Sequence, residues 1–76
     1  MAEAGDLQRR LGEAIRMRRE RDDLSQEALA AKADLHTTFL SELENGHKDL
    51  RLSTLCKVAA GLGISVLELI GLAERT

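Results

Sequence analysis

LSQEALAAKADLHTTFLSELENG, running from Leu24 to Gly46, is the stretch whose reading decides the rest of the chain. Leu29 and Ala33 stand one helical turn apart, Leu40 and Leu43 do the same further on, and a short polar break separates the two pairs. Side chains three or four residues apart share one face of a helix, so the stretch predicts two short helices packed on a common core. Two helices that cross steeply over a tight turn need a small residue where their backbones approach, and Ala30 meets that need while Leu35 plugs the corner. This is the spacing of a helix-turn-helix. Ser25 is placed to cap the first helix through its hydroxyl, and Gln26 follows at an end rich in free amides, which is able to hold a phosphate.

With Leu40 and Leu43 turned inward, the second helix presents Thr37, Thr38, Ser41, Glu42 and Asn45 outward. A helix face built only for solubility more often carries Lys and Glu at i,i+4 spacing. Short hydroxyl, amide and carboxylate side chains are those that read base edges in a DNA groove. The face is therefore read as that of a recognition helix, against the simpler alternative of an ordinary solvated surface.

Working outward, the chain reads as one small helical domain spanning residues 1–76. Of its 76 residues 43% are hydrophobic, with no Pro, Trp or Tyr and a single Phe. Leu, Ala, Glu and Arg favour helices, and the β-branched and aromatic runs that mark strands are missing. Met1 to Gly5 read as a flexible arm, and Asp6 as the cap of a helix from Leu7 to about Asp22 with Leu7, Leu11, Ala14 and Ile15 inward. Arg18 interrupts that stripe, its aliphatic stem covering the core edge. Asp22-Asp23 close this helix without a glycine, aspartate being one of the few residues that tolerates a left-handed cap. Asn45-Gly46-His47-Lys48-Asp49 is a turn with Gly46 as helix stop. A fourth helix follows from Leu52 to Leu62, with Leu52, Leu55, Val58, Ala59 and Leu62 inward and Gly63 behind it. Ser65 caps a fifth from Val66 to about Ala73.

The lone cysteine, Cys56, makes no internal disulfide and has no second cysteine with which to build a zinc site, which implies a reducing, cytoplasmic setting. The first ten residues carry no apolar run of signal-peptide type, and no apolar run is long enough to cross a bilayer. The formal net charge of −2 counts against nucleic acid as a partner. The charges are sorted, however. Arg9, Arg10, Arg16, Arg18, Arg19 and Arg21 crowd the first helix, and Lys32, Lys48 and Arg51 surround the helix-turn-helix. The overall acidity predicts weak affinity for arbitrary DNA, because cations releasing counterions supply most non-specific binding.

From Leu11 to Ile70 the blocks LSQEALA, LSELENG and LGISVLELI resemble the Cro/CI-type (XRE) helix-turn-helix transcriptional regulators, in that family's order and spacing. LHTTFLSELENGHKDLRL most resembles the controller proteins of restriction–modification systems. The resemblance implies an all-α, five-helix, lambda-repressor-like domain with the helix-turn-helix as helices two and three. It implies double-stranded DNA as partner, bound by a homodimer on a palindromic operator whose half-sites lie ~34 Å apart. Carried onto matching positions, Ser25 and Gln26 contact the phosphate backbone, with Asn45 and Lys48 beside them. Thr37, Thr38 and Glu42 face base edges, flanked by His36 and Ser41. Arg19 and Glu44 stand where the family pairs a basic residue late in the first helix with an acidic one ending the recognition helix. Asp34 and Asp23 replace glycines frequent in the family, at modest cost because aspartate accepts a positive φ. Controller proteins often carry Arg at the position of Thr37 and Tyr at that of Phe39, so their target sequence does not transfer. Leu67 is apolar where the family is commonly polar, and with Ile70 and Leu72 it is expected to form a dimer interface.

Regulation is then expected to act by occlusion or recruitment of RNA polymerase, in the cytoplasm on the nucleoid. A rival reading keeps the fold and makes it an antitoxin-like or bridging module that docks a protein. The two histidines are read as helix-end residues and Cys56 as a small helix-four side chain. No cofactor or metal is implied, and an enzyme is disfavoured: there is no phosphate-binding glycine loop and no Cys/His metal set, and the two histidines are not placed with a nucleophile on a common helical face.

Overall fold

The computed structural model describes residues 4–48 and 50–75. Met1 to Glu3 of the expected arm, Asp49 of the turn and Thr76 lie outside the described residues. Five α-helices follow one another, with no strand among the described residues: α1 (Ala4–Arg21), α2 (Gln26–Ala33), α3 (Thr37–Glu44), α4 (Leu52–Leu62) and α5 (Val66–Glu74).

The end of each of the first four helices shows one local device. After α1 the backbone N–H of Leu24 donates to the carbonyl of Arg19, 3.0 Å, and that of Asp23 to the carbonyl of Glu20, 3.0 Å. The same paired closure recurs at Asp34-Leu35 after α2, Gly46-His47 after α3 and Gly63-Ile64 after α4. It requires a left-handed residue, and Asp23 (φ 58°), Asp34 (φ 56°), Gly46 (φ 73°) and Gly63 (φ 72°) supply it. Two of the four turns thus use aspartate in a conformation that costs an L-residue more than glycine.

The starts are less uniform. Ser25 accepts from the N–H of Ala28 at 3.0 Å, and Ser65 with Glu68 forms a reciprocal capping box before α5. His36 and Arg51, in the cap positions of α3 and α4, make no side-chain capping bond. Asp6 is not the cap expected from the sequence: α1 already begins at Ala4, and Gly5 belongs to it rather than to an arm. The Asp6 carboxylate instead takes Arg9 at 2.8 Å and Arg10 at 3.1 Å, i,i+3 and i,i+4 pairs that favour a helix continuing upstream. Arg9 holds the Asp6 carboxyl below its ordinary pKa.

Ile15, Leu29, Leu40, Leu43, Val58 and Leu69 form the fully buried centre. α2 packs chiefly on α4, and α1 chiefly on α5 and α3. One expected core residue is not there: Leu52 is 70% exposed. It continues the spacing of Leu55, Val58 and Leu62, but it is the first residue of α4 and projects past the layer that covers them. α1 and α3 approach closely at Gly12. A Cβ on Gly12 would collide with the backbone carbonyl oxygen of Leu43 and lie 2.9 Å from that of Glu44. No side chain fits there, which accounts for a glycine inside a helix where its entropy is unfavourable.

Candidate nucleic-acid interface

α3 turns Phe39, Leu40 and Leu43 toward the core, with Phe39 half-buried. The opposite side carries Thr37 and Thr38, both exposed, and Ser41 and Glu42, both half-exposed. His36 stands exposed just before the helix, and Lys48, in the turn after it, places its ammonium 3.5 Å from the Glu42 carboxylate. The residues expected to face base edges therefore share one strip of surface. Asn45 is directed otherwise: its side-chain amide donates to the carbonyl of Ser41 at 2.9 Å, closing its own helix end.

How α3 is held against its neighbours is fixed by charge. Arg19 of α1 donates from Nε to Glu44 Oε2 at 2.7 Å and from Nη2 to Glu44 Oε1 at 3.0 Å. Its Nη1 donates to the carbonyl of Leu24 at 2.9 Å, in the loop leading to α2. Both residues are buried, Arg19 9% exposed and Glu44 5%. The bidentate bond to Glu44 raises the Arg19 pKa against the opposing effect of burial. A two-pronged guanidinium–carboxylate contact fixes direction as well as distance, which a lysine would not do. The third member went unrecognised in the sequence. Gln26 Nε2 donates to Glu44 Oε1 at 3.0 Å, so the first residue of α2, the last of α3 and the final turn of α1 are joined through one carboxylate.

Several basic side chains are already committed. Arg9 and Arg10 are paired to Asp6, and Arg18 to Asp22 at 3.1 Å. Among the described residues, Arg16, Arg21, Lys32 and Arg51 form no ion pair. Arg51 shares with Phe39, Lys48 and Thr54 a cleft of ≈ 450 Å³ beside α3. It lies beside the strip as one of the cations that the sequence places around the helix-turn-helix.

The expected interface residues of α5 do not form one patch. Leu67 is 81% exposed. Leu72 lies about 140° further round the helix, where it lines a cleft with Ala14, Met17, Arg18 and Arg21 of α1. Ile70, half-exposed, is on the side nearer Leu67. Cys56 is exposed, and no group of metal-ligating side chains occurs among the described residues. No single described helix is long and apolar enough to cross a membrane.

The helix-turn-helix family pattern matches residues 15–69, from the buried Ile15 of α1 to the buried Leu69 of α5. The chain belongs to the helix-turn-helix family. It is accordingly a DNA-binding transcription regulator of the XRE type, with the all-α fold expected from its sequence. Control protein C.MunI of Mycoplasma sp is 42% identical over 71 residues, covering 92% of this chain and 96% of that protein. The restriction–modification controller protein C.AhdI from Aeromonas hydrophila superposes with a TM-score of 0.80 at 33% identity, over 84% of this chain and 96% of that one. The clp gene regulator ClgR from C. glutamicum gives 0.85 at 32% identity, over 91% and 90%. Within this helix-turn-helix frame, α2 and α3 are the two helices of the motif.

Proposed function

We propose that this protein is a controller of a restriction–modification system, binding a palindromic operator as a homodimer and inserting α3 of each subunit into a major groove. The observation that carries the reading is the polar strip of α3, held to α1 and α2 by the Arg19–Glu44–Gln26 contact. The resemblance to named control and controller proteins along almost the whole chain supports the choice of system. Thr37, Thr38 and Glu42 read base edges, with His36 and Ser41 at the margins. Ser25, Gln26 and Lys48 hold the phosphate backbone, joined by Arg51, while Asn45 closes α3 and touches DNA only by its edge.

The Lys48–Glu42 contact gives the reading a mechanism. A carboxylate in a major groove repels the flanking phosphates unless a cation attends it. Lys48 supplies that cation in the free protein and transfers it to a phosphate on binding, which leaves Glu42 to accept from the exocyclic amine of cytosine. Exposed Leu67, with Ile70, forms the two-fold contact between subunits. With affinity set by dimer concentration, occupancy of the operator on the nucleoid excludes RNA polymerase or recruits it. The test is selection of bound duplexes from a random pool at about 0.15 M salt. Enrichment of a symmetric site with half-site centres about ten base pairs apart is expected. A folded protein that enriches nothing overturns the reading.

A further inference from the structure

We infer that Glu44 is a positioning residue for the phosphate contact at the start of α2, and that Arg19 makes that role compatible with DNA. The inference rests on the reading of Gln26 as a phosphate contact. A glutamine at an exposed helix start has several rotamers, and ordering it on DNA would cost side-chain entropy. Here Gln26 is already ordered, because its Nε2 gives one proton to Glu44 Oε1 at 3.0 Å. A primary amide carries two protons on that nitrogen, so the second remains for a phosphate oxygen. Glu44 thus aims Gln26 while leaving one of its two donor protons free.

Left alone, a carboxylate so near the DNA backbone would weaken binding. It is not alone: Arg19 reaches both of its oxygens, at 2.7 and 3.0 Å, and burial keeps the ion pair out of solvent. What α2 presents outward is a neutral amide in a fixed direction. Among the described residues the bond to Glu44 is the one hydrogen bond that the Gln26 amide makes, so the amide is not drawn elsewhere. Arg19 also holds the Leu24 carbonyl, which fixes the loop that delivers Ser25 and Gln26.

The test is a cycle between Gln26→Ala and the double substitution Arg19→Met/Glu44→Leu, which replaces a buried pair by apolar groups and often leaves stability intact. Affinity is measured on the duplex that the unmodified protein selects, and folding by thermal denaturation. In the unmodified background, Gln26→Ala is expected to weaken binding about fivefold, the worth of one hydrogen bond. In the double-substituted background binding is already weaker by a similar factor, and Gln26→Ala adds less than about twofold. An equal loss from Gln26→Ala in both backgrounds overturns the positioning role. No loss in either overturns instead the phosphate contact itself. Should the double variant not fold, hydrogen exchange in the unmodified protein decides. One of the two Gln26 side-chain amide protons is expected to be protected and the other open, and equal exchange of both refutes the inference.

Discussion

Replacing Gly12 by alanine sets two effects of opposite sign against each other. Helix propensity alone favours alanine in a helix interior by about 1 kcal/mol. The added methyl, however, points at α3. It collides with the carbonyl oxygen of Leu43 and lies 2.9 Å from the Glu44 carbonyl oxygen and 3.0 Å from its carbon. These are backbone atoms, so no side-chain rotation relieves the contact, and α1 and α3 must separate by roughly an ångström. Separation loosens the fully buried Ile15, Leu40 and Leu43 and stretches the 2.7 Å bond between Arg19 and Glu44. Overpacking of a well-filled interface costs about 1–3 kcal/mol, and a backbone obstacle places this contact in the upper half of that range, about 2–3 kcal/mol. After the propensity gain is subtracted, a net loss of about 1–2 kcal/mol is expected. At ~6 °C per kcal/mol for a chain of this length, Tm falls by about 6–12 °C in thermal denaturation followed by circular dichroism. Operator affinity falls with it, because the recognition helix is displaced. A Tm that stays level or rises would refute the packing argument and leave propensity in charge.

Asp34→Gly relieves a left-handed φ of 56° at an exposed site and is expected to raise stability by about 0.5–1 kcal/mol, or Tm by roughly 3–6 °C, with DNA affinity unaltered; a drop in Tm would mean that the carboxylate itself holds the turn. Lys48→Ala should weaken binding to all duplexes by about sevenfold at 0.15 M salt and lower the slope of log K against log salt by about one. If Glu42→Gln then restores part of the loss, the ion pair has the screening role assigned to it; full independence of the two changes refutes that role. Leu67→Lys alters a side chain already 81% exposed, so Tm should move by no more than about 0.5 kcal/mol in equivalent stability, while sedimentation equilibrium shifts toward monomer. An unchanged dimer constant would place the subunit contact elsewhere.

Local chemistry made most of the architecture legible. Serine ahead of α2 and α5, glycine behind α3 and α4, and aspartate behind α1 and α2 announce helix ends through bonds made within a few residues. Where the reading slipped, a choice between two local options was decided by a neighbour. Asp6 was available as a cap, but two arginines one turn on drew its carboxylate along the helix and let α1 begin at Ala4. Leu52 kept the apolar period of α4, yet periodicity says nothing about where a helix end runs past its cover. The separation of Leu72 from Leu67 was present in the helical repeat itself and was overlooked because both are leucines in one apolar run.

The candidate interface divides along the same line. That Thr37, Thr38, Ser41 and Glu42 share a face follows from the 3.6-residue repeat once Leu40 and Leu43 are inward. That Gln26 reaches Glu44, that Lys48 turns back on Glu42 and that Gly12 touches α3 depends on contacts between elements, which no period encodes.

The pairing of α1 with α5 bears on when the protein becomes competent. Of the five described helices the ribosome delivers α1 before the others and α5, which covers it, after them. During synthesis the apolar face at Leu11, Ala14 and Ile15 waits for Leu69 and Ala73, both fully buried when folding is complete. α3 takes its bearing from α1 at Gly12 and Arg19, so its orientation is expected to settle once α5 has covered α1. A nascent chain halted short of Leu69 is therefore expected to leave that orientation unset.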